Sequence, residues 1–142
     1  MAKVIPLLML AMSAAAWSGE LTIKVTNIKH EGVLYAAVYD DKEVFESDKG
    51  GNSPQRPGIV GGLVKKVMPG EAEGTMELEE GTYTIAFYID KNDNEKLDTN
   101  FLGVPKEQFG FSNDVMGRFG PPSFEAASFT LDEETVLIMK AR

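Results

Sequence analysis

Thr82-Tyr83-Thr84-Ile85-Ala86-Phe87-Tyr88-Ile89 decides the fold. Tyr83, Ile85, Phe87 and Ile89 share one face, and Thr84, Ala86 and Tyr88 the other. Side chains alternate along a strand but repeat every ~3.6 residues along a helix, so this stretch is read as β. Working toward the N-terminus, Met76 and Leu78 mark a strand that ends at Glu80-Gly81. Gly58 to Met68 carries Ile59, Val60, Leu63, Val64 and Val67, a weaker strand interrupted by glycines. Val33 to Tyr39 is apolar on both faces, which predicts a central strand. Leu21, Ile23 and Val25 alternate with Thr22, Lys24 and Thr26, the pattern of a strand with one wet face, and Asn27 to Gly32 turns the chain. Asp40 to Pro57 is a long polar loop in which Val44 and Phe45 are expected to tuck one turn against the core. Toward the C-terminus, Phe124, Phe129 and Leu131 suggest a strand, Asp132-Glu133-Glu134 a turn, and Val136 to Met139 a final strand. About seven short strands and no long helix predict an all-β sandwich.

The first residues read differently. Lys3 supplies a positive charge, Val4 to Met12 an almost unbroken apolar run, and Ser13 to Ala16 small residues. That order is the order of a secretory signal. The run is shorter than the ~20 residues that span a bilayer. Pro6 inside it, and a strand pattern just after Glu20, argue against a buried helix. A signal peptide over residues 1–18 is therefore expected, cleaved after Ala16 or after Ser18, with one sandwich domain over 19–142. The expected compartment is the periplasm, with full secretion as the alternative.

Cleavage after Ala16 takes 16 of the 142 residues, leaving 126 with 13 basic and 22 acidic side chains. A chain of that length buries roughly two-thirds of its unfolded surface, enough for a core of its own. The acidic balance repels phosphate backbones and anionic lipid and suits cations, so no nucleic-acid partner is expected. No later segment is long and apolar enough to span a membrane as a helix. With no cysteine and one histidine, His30, neither disulfides nor the usual zinc sites are expected.

Asp90-Lys91-Asn92-Asp93-Asn94-Glu95-Lys96-Leu97-Asp98 follows the strongest strand directly. Asp90, Asn92, Asn94 and Asp98 place side-chain oxygens at positions 1, 3, 5 and 9 of a calcium-type loop, and Lys96 offers its carbonyl. Glu95 stands where an EF-hand has glycine, and Phe101 where it has a bidentate glutamate, so the loop is not an EF-hand. Glu107 or Asp114 is a remote oxygen that would complete it. Two carboxylates among the ligands set an affinity on the order of 10⁻⁴–10⁻³ M. Asp and Asn also populate ordinary turns, because their side chains bond their own backbone, and that reading stays open.

Phe101 to Phe124 is rich in glycine, proline and phenylalanine. Its rings either form a small second core at one end of the sandwich, or line a groove for a sugar or peptide. The groove reading draws on Phe109, Phe111 and Phe119, with Asn113, Arg118 and Lys106 as polar partners.

Asp90-x-Asn92-x-Asn94-x-Lys96-Leu97-Asp98, Gly103-Val104-Pro105-Lys106-Glu107, Gly110-Phe111-Ser112-Asn113 and Phe119-Gly120-Pro121-Pro122-Ser123-Phe124 together resemble a bacterial family of exported proteins. It is the domain-of-unknown-function family numbered twenty-one forty-one. The resemblance runs from about Leu21 to Lys140 and implies an immunoglobulin-like or prealbumin-like β-sandwich. It implies no established activity. The family's usual Asn-Gly in the acidic loop is Asn94-Glu95 here.

His30 sits in a predicted turn beside Lys29 and Glu31, where a solvated role is expected. No G-x-S-x-G elbow or phosphate-binding glycine loop appears. The expected function is non-enzymatic binding of an envelope ligand or protein, with Ca²⁺ organising the loop and no organic cofactor. An assembly protein docking through a sheet edge or loop is the alternative, and a carboxylate-based hydrolase the third reading. The oligomeric state is open.

Overall fold

The computed structural model describes residues 17–48, 57–118 and 120–142. The expected signal segment up to residue 16 and Phe119 lie outside them. The chain forms β1 (Ser18–Ile28), β2 (Gly32–Tyr39), a short helix α1 (Lys42–Ser47), β3 (Ile59–Val67), β4 (Gly70–Glu79) and β5 (Gly81–Asp90). There follow β6 (Phe109–Phe111), a 3₁₀ turn (Ser112–Asp114), α2 (Phe124–Ala127), β7 (Phe129–Leu131) and β8 (Glu134–Lys140). The fold is the all-β sandwich that the alternation predicts.

One sheet has the order β4-β1-β8, and the other β3-β2-β5-β6, with β7 pairing the start of β5. β1 runs antiparallel to β4 and parallel to β8. Between the sheets, Leu21, Ile23 and Val25 of β1 face Leu34 and Val38 of β2 and Ile85, Phe87 and Ile89 of β5, all buried. β4 extends further than Met76 and Leu78 alone indicate, because Glu71, Glu73 and Glu77 occupy its wet face.

The two sheets are joined at one corner by backbone bonds. Arg142 N donates to the Phe109 carbonyl at 3.0 Å, and Phe109 N donates to the Arg142 carbonyl at 3.3 Å. The Gln108 side chain stitches the β1–β2 turn to the same corner. Its amide donates to Asn27 O and its oxygen accepts from Lys29 N, both at 2.8 Å. β6 can lie this close because Gly110 has no side chain: a Cβ there would stand 2.6 Å from two carbons of the Phe87 ring.

A second, smaller core covers one end of the outer face of the five-stranded sheet. Asp41 caps α1, its carboxylate accepting from Val44 N at 3.0 Å, and this single turn delivers Phe45 to the sheet. Ser123 caps α2 in the same way, accepting from Ala126 N at 3.1 Å. Phe45 meets Tyr39, Phe111 and Phe124 edge-on, with ring centres 5.3, 6.0 and 6.0 Å apart. That is the geometry aromatic quadrupoles favour. Phe45→Ala removes the ring that holds this cluster, and a loss of about 3–5 kcal/mol in urea-denaturation stability is expected. Phe45→Leu is expected to cost clearly less.

Candidate functional site

β5 ends on a buried carboxylate. Asp90 is 1% exposed, and its two oxygens accept from Asn94 N at 3.3 Å and Glu95 N at 2.7 Å. Glu107, also buried, closes the loop from the other end. Its oxygens accept from Lys91 N at 2.7 Å and Asp98 N at 3.0 Å. A carboxylate taken from water needs such donors, and the backbone of the loop supplies them. The outer side chains converge as well. Asn92 and Asn94 donate their amides to the Asp98 carboxylate at 2.5 and 2.6 Å, so three polar heads meet at one point. The amides of Asn94 and then Asn92 hold the Asp98 carboxyl below the ordinary aspartate range. Glu95 adopts φ +64°, and Asp93 φ +60°. Glu95 therefore takes up the left-handed turn for which glycine is the unstrained residue.

Beyond Asp98 the chain makes a tight hairpin. Thr99 bridges Pro105, Asn100 N donates to Val104 O at 2.9 Å, and Lys106 N donates to Asp98 O at 2.8 Å. This hairpin overhangs the outer face of the five-stranded sheet and, with the second core, bounds a groove of about 1240 Å³.

The strand register explains the groove. Val64, Tyr35, Tyr88 and Phe109 are directly opposite one another across β3, β2, β5 and β6. The next row on the same face is Gly62, Ala37, Ala86 and Phe111. The row after that is Ile59, Tyr39 and Thr84, beneath the second core. Three small side chains, Gly62, Ala37 and Ala86, thus lie side by side on β3, β2 and β5, with Phe111 ending their row on β6. Tyr35 and Tyr88 stack with ring centres 5.3 Å apart. Both hydroxyls are pushed up from the ordinary phenol value, first by burial and then by acidic neighbours, with Glu95 the leading one for Tyr35 and Asp90 for Tyr88. Leu97, Thr99, Leu102, Val104 and Pro105 overhang this trough, and Met116 and Arg118 lie along it.

The residues predicted from sequence are divided among three places. Asp90, Asn92, Asn94, Lys96 and Asp98 share one loop, in which Lys96 N donates to the Asn94 side chain at 3.2 Å. Glu107 joins them through backbone N–H groups. Asp114 does not reach the loop; its carboxylate accepts from Lys140 N at 2.8 Å. Phe109, Phe111 and Arg118 line the groove, and Phe111 also serves the second core. Asn113 is turned elsewhere, donating to Ala126 O at 3.1 Å and Ser128 O at 2.9 Å, which locks the crossover onto α2. Phe119 is outside the described residues. Sequence reading missed Tyr35, Ala37, Gly62, Ala86 and Tyr88 as site residues. The one signal for Tyr35 and Ala37 was that β2 is apolar on both faces. His30 is exposed between β1 and β2.

Among the described residues no three His, Cys, Asp or Glu side chains cluster closely enough to hold a metal ion. The converging heads at Asp98 are one carboxylate and two amides. No described helix is long and apolar enough to cross a membrane.

Residues 23–138 match the family described as an uncharacterized protein conserved in bacteria (DUF2141). No curated protein and no solved structure matches the chain.

Two substitutions test the loop. Asp90→Ala takes the buried acceptor away from the Asn94 and Glu95 N–H groups and is expected to cost about 2 kcal/mol in chemical denaturation, whereas Glu95→Gly relieves the left-handed turn and is expected to add about 1 kcal/mol. Asp98 also predicts a pH effect. A carboxyl whose folded pKa is depressed contributes stability above its unfolded value and loses it as pH falls through the folded value. The stability difference between the protein and Asp98→Asn is expected at neutral pH and should vanish on acidification below the aspartate range.

Proposed function

Because the chain belongs to the DUF2141 family, whose description names no activity, we propose its function from its own geometry: it is an exported binding protein that holds a ligand in the groove on its larger sheet. The observation that carries this reading is the trio of small side chains, Gly62, Ala37 and Ala86, that floors the groove between the Tyr35–Tyr88 row and the second core. An outer sheet face with no binding role is normally closed by bulky residues or kept polar. This one is apolar and concave, with the lining of a ligand site.

The acidic loop serves the groove. A calcium-type cation would be held by Asp90, Asn92, Asn94 and Asp98 through side-chain oxygens and by Lys96 through its carbonyl. The fit is supported by the meeting of the Asn92, Asn94 and Asp98 heads at one point. Turning each amide over would present its oxygen there in place of nitrogen. The cation, when bound, neutralises the loop's charge and stiffens the hairpin that overhangs the groove. Export rests on the N-terminal sequence. Cleavage after Ala16 suits the sheet better than cleavage after Ser18, since Ser18 pairs with Glu79 and the Trp17 carbonyl accepts from Glu80 N at 2.7 Å.

Uptake of the neutral apolar dye Nile red by the native protein tests the groove. Its fluorescence enhancement is expected to fall about tenfold in Ala37→Phe, which fills the trough. Enhancement unchanged by that substitution would remove the reading. Calcium is tested separately by thermal melting. Saturation at about ten times a millimolar Kd should raise the midpoint by roughly 5 °C over chelator, and Asp98→Ala should abolish the rise. Equal midpoints with calcium and chelator would remove the cation from the reading and leave the groove.

A further inference from the structure

Resting on the groove reading, we infer that the occupant is a single-chain organic cation, an apolar chain ending in an ammonium or guanidinium group. Three observations lead there. The first is width. The trough lies between the Tyr35 row and the Tyr39 row, four residues apart on β2, so the backbone rows stand about 13 Å apart. Rings rise from both rows, leaving room for one aliphatic chain rather than a peptide with side chains on both sides. The second is length. The groove crosses four strands, Gly62, Ala37 and Ala86 flooring the first three and Phe111 standing on the fourth, about 14 Å at the usual strand spacing, the span of a medium-length alkyl chain.

The third is charge. Glu46 and Asp48 stand at the α1 end of the groove. Glu46 accepts from Phe124 N at 2.7 Å, and Asp48 accepts from the Tyr39 hydroxyl, so both carboxylates are held in place beside aromatic rings. Acid groups among aromatic residues are a setting in which organic cations bind, through charge and through the ring quadrupole together. The whole chain carries a formal charge of −8, which draws cations and repels anions over longer distances. Arg118, exposed on the crossover, is the one basic side chain of a described residue on the lining, and it disfavours the cationic head at its own position. Exposed apolar surface gathers here too: Val60, Val64, Leu102, Val104 and Met116 are large, exposed and on the groove.

Calorimetric titration of the purified protein with three twelve-carbon probes, all below their micellar concentrations, tests the assignment. Dodecyltrimethylammonium is expected to bind at least about tenfold more tightly than dodecanoate, with neutral dodecyl maltoside between them. Shortening the cationic chain by two methylenes should weaken it roughly tenfold. Glu46→Gln, which keeps an acceptor for Phe124 N, should weaken the cation several-fold and leave the maltoside unchanged. Ala37→Phe should abolish binding of all three, with Ala37→Leu as the milder filling variant should the first fail to fold.

Equal affinity for cationic and anionic chains, both lost on filling the trough, would overturn the charge assignment and leave the groove reading standing. Tighter binding of a basic apolar peptide than of the amphiphile would overturn the single-chain occupant. No binding of any probe, together with Nile red uptake indifferent to Ala37→Phe, would take down the groove reading itself.

Discussion

The register between β2 and β5 is the constraint on which everything else rests. With Ala36 opposite Phe87 and Ala37 opposite Ala86, Leu34, Val38, Ile85 and Ile89 enter the core. Tyr35, Tyr39 and Tyr88 stand on the outer face. A slip of one residue would exchange the two sets. The slip is disfavoured by more than hydrophobicity, since it would bury tyrosine hydroxyls between the sheets and bring Asp90 out of the position where the loop backbone satisfies it. The same pairing that makes the core therefore makes the trough, because the small outer side chains of both strands fall in one row.

Asp90 and Glu107 show how a polar loop can grow from a buried strand end. Each is buried, and each takes two backbone N–H groups from the opposite part of the loop. Lys91, Asp93, Glu95 and Lys96 are all exposed. The loop is held at its two roots, by acceptors that cannot be released without leaving a carboxylate and two amides unsatisfied. This gives Asp90 a structural role whether or not a cation is present, and it gives Glu107 one that metal ligation does not require.

Much of this was legible in the sequence, and the exceptions have definite causes. Period-two alternation placed β1, β2 and β5, and the doubly apolar β2 was correctly read as internal. Phe45 was legible as an anchor because it is a lone ring in a polar loop. The convergence of Asn92, Asn94 and Asp98 followed from their alternate spacing. The trough was not legible, since it depends on which residue of β2 faces which residue of β3, β5 and β6, and register is absent from any one strand's pattern. That Glu107 accepts from Lys91 N and Asp98 N was not legible. Its position in the chain could show that it returns to the loop, but not which partner it meets. Asn113 failed for a related reason: at φ +62° it turns its amide back onto α2, a conformation that composition does not reveal.

The loop and the groove are one mechanical unit. Lys106 N donates to Asp98 O, Thr99 bridges Pro105, and the Asn100 side chain accepts from Leu102 N and Val104 N at 2.8 and 3.1 Å. The residues that overhang the trough are therefore fastened, within a few bonds, to the residues that gather at Asp98. Any influence that orders the Asp98 end restricts where Leu97 and Val104 can stand, and any occupant that packs under Leu97 and Val104 restricts the Asp98 end in turn. Such coupling is reciprocal by necessity, because both events draw on the same conformational entropy. A hairpin with Phe101 and Leu102 at an exposed tip has little else to order it from above. Its order comes from below, from two buried carboxylates, and from within, from the Asn100 side chain.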